Sequence, residues 1–163
     1  MKQPIEPKWK LHNLLSDAAV IGDILQTAIH LEFDLDMALI DFFATRARRE
    51  AFEELILDEL TFHQKIEIFR QLPVNKGLKS YRLALATLSR IKRLRNYVAH
   101  GFGLRERDLE RLVRDKELLA MFEDYPRSLN KEYKLARMRL YALGKSKGYA
   151  LSSLISAVRI KKA

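Results

Sequence analysis

The apolar positions of this chain recur at helical spacing almost throughout. Ile21, Leu25, Ala28, Leu35, Leu39 and Phe42 follow one another at three-, four- and seven-residue steps. That pattern predicts one long amphipathic helix from Leu14 to Ala47. A shorter helix is expected over Arg49–Leu57. Thr61-x-x-Gln64 has the form of a capping box, in which a hydroxyl and a carboxamide each satisfy an amide left open at a helix start. A helix should therefore open there and run through Gln71, with Pro73 just past its end. Ser80 is placed to cap a further long helix with the apolar stripe Ala84, Leu88, Ile91, Leu94 and Val98. Gly101 stands where a left-handed C-cap belongs, and Gly101-Phe102-Gly103 punctuates the chain.

Beyond that point the pattern predicts a charged helix from Glu106 to Phe122, broken at Pro126. A basic helix from Lys131 to Leu143, a loop over Gly144–Gly148 and a short helix over Leu151–Ile160 follow. No stretch alternates at period two for long, and the chain has only four prolines and six glycines. The expected fold is all-α, a helical bundle with additional C-terminal helices. Residues 9–103 should form the core, and residues 104–163 a basic helical extension packed on it, within one compact domain.

Composition narrows the classes. At 163 residues and 48% hydrophobic, the chain has enough apolar material to bury a core. It has no cysteine, which rules out a disulfide framework and a thiolate metal site and fits a reducing compartment. No apolar run is long enough to span a bilayer, and the N-terminal MKQPIEPKWK lacks the apolar stretch of a signal peptide. A cytoplasmic location with no membrane partner is the expectation.

Charge changes the picture more. The net charge of +9 is unevenly spread. Leu11–Thr45 contains no Lys or Arg but six acids: Asp17, Asp23, Glu32, Asp34, Asp36 and Asp41. From Tyr125 to the end there are ten Lys/Arg against the single acid Glu132. Arg90–Arg114 carries eight Lys/Arg against Glu106, Asp108 and Glu110. Such asymmetry suggests one face for a polyanion. The alternatives are a solvated basic surface, or internal pairing of the acidic helix with basic ones.

The densest chemistry lies in Arg95-Asn96-Tyr97-Val98-Ala99-His100-Gly101, just after Arg90, Lys92 and Arg93. A guanidinium can neutralise charge building on a phosphate, and a histidine can move a proton near neutral pH. These are the minimum parts for cutting RNA with no metal and no cofactor. On a straight helix five residues turn through about 500°, leaving Arg95 and His100 about 140° apart. The two converge only if the helix unwinds near Gly101 or a second chain completes the site. Asn96 and His100, four apart, share a face, so the carboxamide can hold the imidazole in one tautomer or meet a phosphate oxygen. Across a twofold axis one histidine would take the ribose 2′-OH proton while the other protonates the leaving 5′-oxygen. Arg95 would stabilise the phosphate. Tyr97 would stack on a base. Arg90, Lys92 and Arg93, with Lys131, Lys134, Arg137 and Arg139 of the tail, would hold the RNA backbone. Each residue also has a plainer reading: His100 as a cation at a helix C-terminus, Arg95 as an ion pair, Tyr97 as packing, and the bases as a solvated helix face.

Arg95-Asn96-x-x-x-His100 resembles the R-x4–6-H signature of the HEPN superfamily. The flanking Phe62-His63-Gln64-Lys65-Ile66-Glu67 and Ala99-His100-Gly101 agree with that context, over Leu14–Gly103. The stretch from Lys131-Glu132-Tyr133 to Leu154-Ile155 is more loosely similar to the end of mannitol-repressor (MtlR)-like proteins. The resemblance implies a helical fold, a homodimer with two motifs facing across its axis, and metal-independent ribonuclease activity. It also implies a role as a toxin or in phage defence beside a nucleotidyltransferase-type antitoxin. The alternative it carries is a non-catalytic MtlR-like transcriptional regulator or protein-interaction dimer.

Other chemistry has weaker support. His30/Asp34 and His63/Glu67 are each four apart, yet too few further ligands accompany them for a metal site. Glu32-x-Asp34-x-Asp36 lacks the glycine of a calcium loop. There is no Gly-rich phosphate loop and no serine-nucleophile elbow. The apolar positions of the tail helix, Leu135, Met138, Leu140 and Leu143, suit docking on a core better than lying on a membrane.

Overall fold

Asp17 divides the expected first helix in two. Its side chain accepts a hydrogen bond from the Ala19 amide at 2.8 Å, as an N-cap does, so the chain starts a new helix there. The computed structural model describes residues 7–74, 79–99, 110 and 112–145. Helix α1 spans Pro7–Leu15 and α2 spans Ala18–Phe43. A 3-10 turn over Arg46–Arg48 leads into the short α3, Arg49–Phe52, which widens into a π turn over Glu53–Leu57. Helix α4 spans Phe62–Gln71, α5 Lys79–Ala99, α6 Lys116–Glu123 and α7 Arg127–Lys145. Among the described residues there is no strand, and the fold is all-α.

Two helix starts form as their residues dictate. The Thr61 hydroxyl accepts from the Gln64 amide at 3.3 Å, and the Gln64 carboxamide accepts from the Thr61 amide at 2.8 Å. This is the reciprocal capping box the sequence predicts. The charged segment expected to run from Glu106 starts anew at Asp115, whose carboxylate accepts from the Leu118 amide and so opens α6. The basic helix begins four residues earlier than expected, at Arg127, directly after Pro126. Gly144 belongs to that helix rather than to a loop. The cap expected at Gly101, the Gly101–Gly103 break and the helix expected over Leu151–Ile160 lie outside the described residues.

The chain divides into two compact units. The first combines residues 1–30 with 89–134. Its buried apolar side chains include Leu15, Val20, Ile24, Ala28, Ile91, Leu94, Leu112, Leu118 and Leu129. The Tyr125 hydroxyl donates to Asp23 at 2.6 Å, and the His30 and Tyr133 rings lie 6.3 Å apart. The start of α7 therefore runs alongside α2 in the same direction. Burial and the Asp23 carboxylate push the Tyr125 hydroxyl well above the usual phenol range, so it stays a donor.

The second unit combines residues 31–88 with 135–163. Leu31, Leu35, Leu39 and Ile40 of α2 are buried there, as are Phe62, Ile66 and Phe69 of α4. Tyr81 is buried as well, and its hydroxyl donates to the carbonyl oxygens of Phe69 and Arg70 at 3.2 and 2.9 Å. Those carbonyls belong to the last turn of α4, where the Phe69 carbonyl also accepts from the Leu72 amide at 3.3 Å. The predicted stripe of α5 is buried along its whole length: Ala84 and Leu88 in this unit, Ile91, Leu94 and Val98 in the other.

Candidate functional site

The motif begins on the last turn and a half of α5. Leu94 and Val98 are buried, and their spacing fixes how the residues between them face. Arg95 sits at the margin of the buried stripe and is half-buried. Asn96, about 100° further round, is exposed. Tyr97 is half-buried. His100 lies outside the described residues. The structure thus places Arg95 and Asn96 on adjacent faces of one regular helix.

The basic residues upstream have partners inside the first unit. The Arg90 guanidinium donates to Glu132 at 2.8 Å and lies 3.5 Å from Glu117. Its side chain is only 15% exposed. Arg93 donates to Asp115 and lies 4.0 Å from Glu117. Two arginines expected to face a phosphate backbone thus hold α5 against α6 and α7 through three carboxylates. Lys92 is half-buried.

The acids that do this were not singled out from the sequence. Asp115 and Glu117 flank Lys116 in an ordinary charged run, and Glu132 stands alone among ten bases. A lone acid in a strongly basic segment is a signal for a specific internal partner.

The acidic stretch of α2 is equally committed. Asp17 caps and Asp23 accepts from Tyr125, as above. Asp34 lies 3.4 Å from Arg137, and Asp41 lies 2.7 Å from Arg49. Glu32 and Asp36 share Lys65, at 3.3 and 2.8 Å. Every acid between Leu11 and Thr45 therefore has an internal role, and four of the six, Glu32, Asp34, Asp36 and Asp41, meet a base as in the pairing alternative raised for this stretch.

Lys65 is the most deeply buried of these charges, at 5% exposure. Burial alone would lower its pKa, but the hydrogen bond and charge of Asp36, joined by Glu32, raise it above the usual lysine value. Asp36 is raised too, first by burial and then by the like charges of Glu32 and Glu53, against the lowering effect of Lys65. The two carboxylates thus outweigh burial at Lys65, whereas at Asp36 burial and the neighbouring like charges outweigh the single ammonium.

The four tail bases separate. Lys131 and Lys134 are exposed and three apart, hence on one face of α7, with exposed Arg127 on the same face four residues before. Arg137 reaches Asp34, and Arg139 is half-buried.

Neither histidine pair weighed as the start of a metal site gathers ligands. His63 Nδ1 lies 3.7 Å from Glu67, whose carboxylate also meets Arg70 at 2.9 Å. His30 faces the Tyr133 ring. Among the described residues no group of three or more His, Asp or Glu side chains is placed to hold a metal ion. Among the same residues no helix is long and apolar enough to cross a membrane.

The class that these observations define is an all-α protein with an arginine–carboxamide pair at a helix end and an exposed basic ridge on a second helix. No family model, curated protein or solved structure matches the chain.

Proposed function

We propose that this protein is a metal-independent endoribonuclease of HEPN type, acting as a toxin or phage-defence effector. In this reading it cuts RNA through a composite site at a homodimer interface. The observation that carries the reading is the sequence set Arg95-Asn96-x-x-x-His100, whose Arg95 and Asn96 lie on the last turns of α5. Asn96 orients the imidazole of His100, and His100 moves the proton between the ribose 2′-OH and the leaving oxygen. Arg95 stabilises the charge on the phosphate in flight. Lys131 and Lys134, exposed on α7, hold the RNA backbone. Arg90 and Arg93 act indirectly here, by fixing α5 to the carboxylates of α6 and α7. A nucleotidyltransferase-type antitoxin is the natural partner of such an enzyme.

The test is cleavage of single-stranded RNA by purified protein in the presence of a chelator. Wild type should cut, and Arg95→Ala and His100→Ala should each abolish cutting while the helical circular dichroism is unchanged. Cleavage that needs added metal contradicts the proposal.

One observation favours a second reading, a non-catalytic MtlR-like regulator or interaction dimer. The bases nearest the motif are already occupied by carboxylates. Under that reading RNA is left intact by every variant.

A further inference from the structure

Helix α7 buries Leu129, Ala136, Leu140 and Leu143. The opposite face carries a second row. Arg127, Lys131, Lys134, Met138 and Tyr141 follow one another at four-, three-, four- and three-residue steps along a regular α-helix. All five are exposed, Met138 at 68% and Tyr141 at 63%. The row covers about 21 Å of helix. Met138, grouped by its spacing with the core positions of the tail, lies instead about 160° round the helix from buried Ala136.

The order of the row selects its ligand. Three cations fill the first half and two large side chains the second. Arg137, which comes between Lys134 and Met138 in the sequence, is drawn aside to Asp34 at 3.4 Å. The nearby acid Glu132 is held by Arg90 at 2.8 Å, so the cations of the row face a polyanion undiluted. Such cations attract a phosphate backbone whatever its sequence. An exposed phenol ring offers a flat surface to a base, which is how single strands are held. A strand bound by Arg127, Lys131 and Lys134 and continuing along α7 brings its next bases over Met138 and Tyr141. Bases inside a duplex are paired and stacked on one another and do not reach such a ring.

We infer that Tyr141, flanked by Met138, is the stacking platform for an unpaired RNA base and makes α7 select single strands over duplexes. This role rests on the RNA reading of Lys131 and Lys134 and not on the chemistry at His100. It assigns to Tyr141 the stacking expected of Tyr97, which is half-buried.

Fluorescence anisotropy of a 2′-O-methyl oligoadenylate with the full chain tests it. The blocked hydroxyl prevents cutting by 2′-OH attack, so binding is read whether or not the protein is a nuclease. Tyr141→Ala should weaken binding about tenfold. The slope of log K against log salt should stay as in wild type, because no cation is lost. Tyr141→Phe and Tyr141→Trp keep a ring and should bind at least as tightly as wild type. An abasic strand of the same length, and a duplex, should each bind wild type and Tyr141→Ala equally. Circular dichroism should be the same for all variants, since Tyr141 is exposed. A wild type that does not bind, a Tyr141→Ala that binds as wild type does, or an equal loss on the abasic strand would each overturn the inference and leave the chemistry at His100 standing. An effect of Tyr141→Ala confined to the protein's own sedimentation, or to its binding of anionic lipid vesicles, would give the face another occupant and overturn it too. Absence of cleavage, with Tyr141 still setting the affinity, would overturn the nuclease reading alone.

Discussion

Lys65 is the residue on which the second unit depends most sharply. Its ammonium is buried and holds Asp36 and Glu32. Removing one partner of such a group leaves the others charged and out of water. Lys65→Met should therefore lower unfolding stability by about 3–5 kcal/mol. The pH dependence has a definite sign. A raised lysine pKa contributes stability that is complete below the ordinary lysine value and is lost as pH rises through the higher folded value. A raised Asp36 favours the folded state when protonated, and that contribution fades as pH climbs through its folded pKa. The stability gap between wild type and Lys65→Met should thus be widest near neutrality. It should narrow in acid as the carboxylates protonate, and again in strong alkali as Lys65 loses its proton. Urea unfolding across that range checks this, and a gap independent of pH would refute it. The burial of Lys65 was not legible in the sequence. Phe62-His63-Gln64-Lys65 reads as an ordinary helix start, and only the packing of α4 on α2 shows that the lysine points inward.

At the scale of elements, local chemistry was legible wherever one short contact decides. The Thr61/Gln64 capping box forms as its residues require, and Thr61→Ala should cost about 1 kcal/mol. The loss should appear as a lower urea midpoint and faster amide exchange in the first turn of α4; unchanged exchange there would count against the cap. The buried stripe of α5 follows directly from its apolar spacing. The misplaced boundaries share one cause. Apolar periodicity runs on through Asp17 and through Asp115, whereas the side-chain caps at both positions restart the helix. The cap residue, not the period, sets the boundary. Tyr81 shows the converse: its hydroxyl closes the far end of α4 from twelve residues away, a contact that no local pattern encodes.

For the whole molecule, the uneven net charge was legible, but its division between structure and surface was not. Arg90, Arg93 and Arg137 look like Lys131 and Lys134 in the sequence, yet the first three meet acids from other helices. Lys131 and Lys134 should therefore govern the salt response of RNA binding. Replacing both with Ala should flatten the slope of log K against log salt by about 1.4, at about 0.7 per phosphate contact on a single strand. Arg90→Ala should act mainly by lowering stability. Filter binding at several salt concentrations, set beside thermal unfolding, separates the two effects, and an unchanged slope in the lysine variant would make α7 a structural cover alone. The nuclease reading is tested most directly by the ends it leaves. Attack by the 2′-OH, with His100 moving the proton and Arg95 neutralising the phosphate, yields a 2′,3′-cyclic phosphate and a 5′-hydroxyl. Mass spectrometry of RNA incubated with the protein in excess chelator should find those ends with wild type and lose them with His100→Ala. Intact RNA with wild type, or the same ends in equal yield with His100→Ala, would contradict the account.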